Sequence, residues 1–95
     1  MEVKVIRLSE LMDNSSLVRS GENLYDAIVG HITRREPVKI DMADVPALPT
    51  VFMNPVFGRL ILQHGKQNVA SLLTFSNIMR SQLTRFKDYF NSFDK

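Results

Sequence analysis

The chain has no cysteine, which removes disulfides, thiolate metal ligands and cysteine nucleophiles together. It has no tryptophan, and its four glycines are scattered, so no G-x-x-x-x-G-K phosphate cradle occurs along it. No apolar segment approaches the ~20 residues that span a bilayer. The opening MEVKVIRLSE alternates charge and lacks the continuous apolar core of a secretory signal. These absences predict a cytoplasmic protein with no membrane contact. An excess of one charge is missing too: twelve basic and ten acidic residues are mixed along the chain for a net charge of +2. Nucleic-acid binders gather their basic side chains on one face. Here Arg80 and Lys87 share one side of the last helix while Arg85 sits on another, so nucleic acid is not the expected partner. A nucleic-acid-associated regulator is the weakest of the alternatives.

What is present suits one globular domain over residues 1–95, with 44% hydrophobic and 23% charged residues, both ordinary proportions. Residues 2–8 alternate, with Val3 and Val5 opposite Lys4, as in a half-buried strand. Asp13-Asn14-Ser15-Ser16 is a turn cluster. Over residues 21–32, Leu24, Ala27, Ile28 and Ile32 recur at spacings of three and four, the mark of a helical face. Either Ser20 or Asn23 can cap its start. Arg34-Arg35-Glu36-Pro37 breaks the pattern, and residues 38–42 predict a central strand with Val38, Ile40 and Met42 on one side and Asp41 near its end. Two of the four prolines, Pro46 and Pro49, stiffen the loop that follows. Asn54-Pro55 predicts a helix start, with asparagine as cap and proline at the first helical position. Gly65 predicts its stop. Residues 69–75 predict a third strand, and residues 78–90 a last helix striped by Met79, Leu83, Phe86 and Phe90. The order β-α-β-α-β-α predicts an α/β fold: a mixed or mostly parallel sheet of three to four strands, packed against about three helices through right-handed crossovers.

The runs Gly21…Leu24…Ile28, then V-K-I-D-M-A-D-V, then P-T-V-F-M-N-P-V-F-G-R-L resemble the bacterial STAS-like domain family of unknown function, which is distantly similar to the STAS domains of anti-sigma-factor antagonists. The likeness covers about residues 21–77. Its most specific part is Ile40-Asp41 with Thr50-Val51-Phe52-Met53-Asn54 and Gly58-Arg59-Leu60. It implies a small sheet of mostly parallel strands against helices, with the loop before the second helix as the working surface. In the antagonists, a serine at that junction is phosphorylated by a histidine-kinase-like ATPase, and the phosphate abolishes docking. Here the segment reads Leu48-Pro49-Thr50-Val51-Phe52, and the usual Asp-Ser-Ser-Gly run is absent. Thr50 matches the first serine and Val51 stands where the modified one belongs. Thr50 is therefore the one hydroxyl left as a phosphorylation candidate, set against a structural role in capping or turn formation.

No catalytic constellation emerges. Asp41, Asp44 and Asp26 have no histidine at a ligand spacing, and Asp41 reads as an acceptor for loop amides. His31 and His64 each end a helix, with no serine, cysteine or carboxylate partner suggested by spacing. Neither a metal nor a cofactor is expected. The resulting expectation is a non-enzymatic regulatory module that binds another protein through the loop 45–54 and the start of the next helix. Asp41, Thr50, Val51, Phe52 and Asn54 are its candidate contacts, and the resemblance implies a histidine-kinase-like ATPase or a sigma-factor regulator as partner class. The alternative is a structural or homo-oligomeric component. Met79, Leu83, Phe86, Phe90 and Phe93 follow the 4-3-4-3 spacing of a helix–helix seam. Either that stripe covers the sheet, or its distal part, Tyr89, Phe90 and Phe93, is exposed and builds a homodimer.

Overall fold

Three four-residue strands form one sheet in the computed structural model, which describes residues 3–93: β1 (Lys4–Arg7), β2 (Val38–Asp41) and β3 (Leu73–Ser76). They pair in parallel in the order β1-β2-β3, with Ile6, Ile40 and Phe75 in one register. Val38 and Ile40 are buried while Lys39 between them is exposed, the period-two alternation of a sheet covered on one side. Both crossovers step the same way across the sheet, and right-handed crossovers then bring their helices to one face. The opposite face, where Val5, Lys39 and Thr74 lie in register, is open to solvent.

Four helices supply the cover: α1 (Leu17–Thr33), α2 over residues 50–64, α3 (Lys66–Leu72) and α4 (Arg80–Asn91). The α/β class is as predicted; the sheet, expected to be mixed or mostly parallel, is parallel in both pairings with β2 central. The predicted order is corrected by α3, which occupies most of the expected third strand. Val69 and Leu72–Leu73 repeat at three and four residues, a helical spacing that a short apolar run shares with a buried strand. Gly65, at φ 87°, separates α2 from α3 as a residue free to adopt that conformation.

Two helix starts also differ from prediction. α1 begins four residues before Gly21, because the Ser16 hydroxyl accepts a hydrogen bond from the Arg19 amide at 3.0 Å and caps it. Ser20 is instead buried inside the first turn, and Asn23 donates to the Leu11 carbonyl. α2 begins at Thr50, not behind Asn54. The Pro49 carbonyl accepts from the amides of Phe52 and Met53, starting the helix one turn early. Pro55 then falls inside it, without an amide hydrogen and with a ring that crowds the preceding turn. The helix absorbs this as a π-turn over Asn54–Gly58, the kind of local widening that accommodates a disturbed ladder. A side chain at Gly21 would collide with the Phe52 carbonyl and the Pro55 ring, so α1 crosses α2 at this widened turn with only a glycine between them.

Along α4 the buried residues are Gln82, Phe86 and Tyr89, whereas Met79 is exposed. The expected stripe is thus rotated: Leu83 and Phe90 sit half-buried at its margin. Phe57 is the hub beneath, its ring 5.5 Å from Phe86, 5.6 Å from Phe90 and 6.2 Å from Phe75.

Candidate functional site

The carboxyl ends of all three strands meet at one edge, where open α/β sheets present their working surface. At that edge Asp41 ties two strand exits together. Its Oδ1 accepts from the Ala43 amide at 3.0 Å and from Asn77 Nδ2 at 2.9 Å. The Asn77 hydrogen bond, the Ala43 amide and the nearby Arg7 hold its carboxyl below the usual range. Asp44 and Asn77 take positive φ, 65° and 54°, which short polar side chains tolerate better than others.

The loop 42–49 leaves this edge as a held segment. The Val45 amide donates to the Met42 carbonyl at 3.1 Å, and the side chains of Val45 and Leu48 are buried. Gln82 provides the clamp. From a buried position on α4 it donates Nε2 to the Val45 carbonyl at 2.8 Å, while its Oε1 accepts from the Met79 amide at 3.0 Å. One amide therefore caps α4 and fixes the loop. Between the buried anchors, Pro46 and Ala47 stay exposed.

The first turn of α2 sorts the remaining candidates onto different sides. Val51 is 45% exposed and Phe52 is 0% exposed. The expectation that Phe52 offers a contact surface is therefore corrected: its ring belongs to the core, 6.5 Å from Phe57. Val51 faces a cleft of about 510 Å3 lined by residues 12–18, Pro46 and Val51. Thr50 and Asn54 lie on the other flank, in a groove of about 430 Å3 shared with Arg85 and Tyr89 of α4. Asn54 Oδ1 accepts from the Tyr89 hydroxyl at 2.7 Å. The five predicted contacts are thus not one cluster. Asp41 is a loop tie, Phe52 is core, Asn54 turns toward α4, and Thr50 and Val51 remain on the surface of the helix start.

The predicted oligomer contacts are also relocated. Tyr89 is only 9% exposed, with Phe93 packed on it at 5.3 Å. Burial raises its hydroxyl pKa against a lowering hydrogen bond from the Gly58 backbone. A side chain at Gly58 would strike that hydroxyl. Phe90 and Phe93 are half-buried against the core. The distal aromatics serve their own chain first.

The cleft beside Val51 includes residues that sequence reasoning passed over. Leu17 and Val18, in the first turn of α1, are 38% and 45% exposed, and they meet Pro46 and Val51 there. The signal for them was Ser16 at the end of the turn cluster, which is a helix cap followed at once by two apolar residues. Asp13 lines the same cleft; the Ser15 hydroxyl and amide donate to it at 2.7 and 2.9 Å and lower its pKa. Among the described residues no three His, Asp or Glu side chains gather as metal ligands, and no helix is long and apolar enough to cross a membrane.

Comparison with known proteins gives a single finding. A family model described as a STAS-like domain of unknown function matches residues 20–82, while no curated protein and no solved structure matches the chain. The matched span takes in α1 from Ser20 onward, β2, the held loop, α2, α3 and β3, and ends in the first turn of α4. It also contains Ile40-Asp41, the Thr50-to-Asn54 run and Gly58-Arg59-Leu60, the residues that carried the resemblance. The chain, with well over half of its length inside that match, belongs to the family of STAS-like domains of unknown function (DUF4325).

Proposed function

We propose that this domain is a non-enzymatic regulatory module that binds another protein at the cleft between the starts of α1 and α2. One observation carries the reading. Leu17, Val18 and Val51 are large apolar side chains left 38–45% exposed, and together with Pro46 they line one concave surface. Contiguous exposed apolar surface on a small domain marks a contact site. The surface is also preorganised: Gln82, Val45 and Leu48 fix the loop, so little ordering entropy is lost on docking. By likeness to anti-sigma-factor antagonists, the partner class is a histidine-kinase-like ATPase or a sigma-factor regulator.

Thr50 supplies the regulatory half of this proposal. It is exposed and begins α2, next to Val51 in the chain but facing the neighbouring groove. A phosphate there carries about −1.5 to −2 charges, which the unpaired amides of a first turn favour.

The test compares two exposed aliphatic positions. Leu62 is 83% exposed and lies outside the cleft. Binding of a purified histidine-kinase-like ATPase from the same cells is measured for Val51→Asp and Leu62→Asp by calorimetry. The expected outcome is loss of binding in the first and none in the second. Equal binding by both variants removes the cleft from consideration.

A further inference from the structure

The two free edges of the sheet are built differently. β1 carries Lys4 and Arg7 at its ends, the charged residues that keep an exposed strand from pairing with another chain. β3 reads Leu73-Thr74-Phe75-Ser76, with no charge and no proline, and it too is a terminal strand. Its outward backbone groups can be identified. The Ser76 carbonyl accepts from the Met42 amide of β2 at 2.9 Å, so by the two-residue alternation of a strand Thr74 also faces β2, while Leu73 and Phe75 direct their amides and carbonyls outward. Along this edge runs a groove of about 400 Å3 whose apolar lining includes Leu73, Phe75, Leu83, Phe86 and Phe90.

We infer that β3 pairs antiparallel with β3 of a second copy, joining two sheets into one of six strands. An unpaired row of amides and carbonyls is satisfied by an extended segment, and this strand is complementary to itself. In the register that centres on Thr74, Leu73 of each copy lies opposite Phe75 of the other. All outward backbone groups are then used, in four hydrogen bonds. Thr74 meets its own symmetry mate on the open face as a non-hydrogen-bonded pair, and threonine pairs are favourable there. No like charges oppose each other along the strand. The same two-fold axis brings Leu83 and Phe90 of the two α4 helices toward one another above the sheet. Lys87 at the groove contributes its methylene stem and turns its ammonium to water. With extents of 31 × 30 × 24 Å, each side of the molecule is comparable in area with the ~800 Å2 per partner that a standard interface buries. The contact lies apart from the cleft at Val51, so it stands independently of the partner-binding proposal.

Thr74 is the position to test, because it is exposed and its replacement leaves the core alone. Sedimentation equilibrium of the purified chain is expected to show a dimer whose population rises with concentration between about 1 and 500 μM. Thr74→Lys places two like charges face to face and is expected to weaken the dimer by roughly tenfold or more. Thr74→Glu does the same alone, and mixing the two variants restores association. The absence of cysteine permits a single-site reporter: Thr74→Cys is expected to cross-link spontaneously, since a non-hydrogen-bonded antiparallel pair sets its Cα atoms ~4.5 Å apart. Val5→Cys, on the charged edge and 51% exposed, is expected to stay monomeric under the same oxidation. A monomer throughout the concentration range overturns the inference, as does a dimer indifferent to Thr74→Lys or equal cross-linking at Val5.

Discussion

At the start of α2, Val51 and Phe52 are neighbours in the chain with opposite fates, one 45% and the other 0% exposed. Along α4 and just past its end the aromatics all turn inward to some degree: Phe86 and Tyr89 are buried, and Phe90 and Phe93 are half-buried against the core. The difference follows from what each helix lies against. α2 contacts α1 along one side, and successive residues of a helix point about 100° apart, so one turn can serve both core and solvent. α4 packs its buried side over Phe57 of α2, and its larger rings reach back to that hub from several angles. α2 is the more apolar of the two, with eight apolar residues of fifteen against four of twelve in α4, but apolar content alone does not place Val51 outside and Phe52 inside. Helical phase relative to the neighbouring element decides which of them has surface to spare for a partner.

The largest expected effect separates the two residues that begin this comparison. Phe52→Ala removes a fully buried ring and is expected to cost about 3–5 kcal/mol of unfolding free energy, whereas Val51→Ala stays within about 0.5 kcal/mol. Urea titration followed by circular dichroism measures both, and similar losses for the two would erase the inside–outside division of that turn. An intermediate effect tests the link between the regions. Gln82→Ala leaves the Val45 carbonyl and the Met79 amide without their partner and is expected to cost roughly 1–3 kcal/mol. Amide hydrogen exchange in the loop 42–49 should speed up in that variant while the centre of α1 stays protected. Unchanged exchange in the loop would show that the loop holds itself without α4.

The smallest effect concerns acid. Asp41 has its folded-state pKa depressed by Asn77, the Ala43 amide and Arg7. A depressed carboxyl binds its proton more readily in the unfolded chain, so its contribution is complete above the unfolded value, roughly pH 4, and is lost as pH falls through the folded one. Asp13 and Glu36 are depressed as well, by Ser15 and by Arg34 with His31 respectively, and they titrate in the same window. Asp41→Asn keeps an acceptor for Ala43 and removes the charge, so it isolates one of the three. The difference in melting temperature between wild type and this variant is expected to be constant above about pH 5 and to shrink below it. A difference that holds at pH 2 would count against the loop tie.

Much of the architecture was legible because it is periodic. Val38 and Ile40 alternate with Lys39, and Leu24, Ile28 and Ile32 repeat at helical spacing, so β2 and α1 could be read directly. The misreadings occurred where two local rules competed. Asn54-Pro55 is a good helix start in isolation, but Pro49 had already begun the helix, and a π-turn absorbed Pro55. Residues 69–75 are apolar enough for a strand, yet α3 takes the first of them and β3 only the last. At the candidate site, the sequence pattern predicts surface positions at Thr50, Val51 and Phe52 alike; Thr50 and Val51 are exposed, whereas Phe52 is core, a distinction that needs the position of Phe57.

The sequence by itself determined the α/β class, the central place of β2 and the absence of cysteine chemistry, because those depend on composition and on periods of two and 3.6 residues. Tertiary structure alone decided that the starts of α1 and α2 share a cleft, that Gln82 clamps the loop from α4, and that β3 ends the sheet with an uncharged edge. Each of those relations joins residues 30 or more positions apart along the chain, or depends on which strand has no neighbour. Neither is encoded in any local pattern; both arise when crossovers of one hand bring distant segments onto a single face.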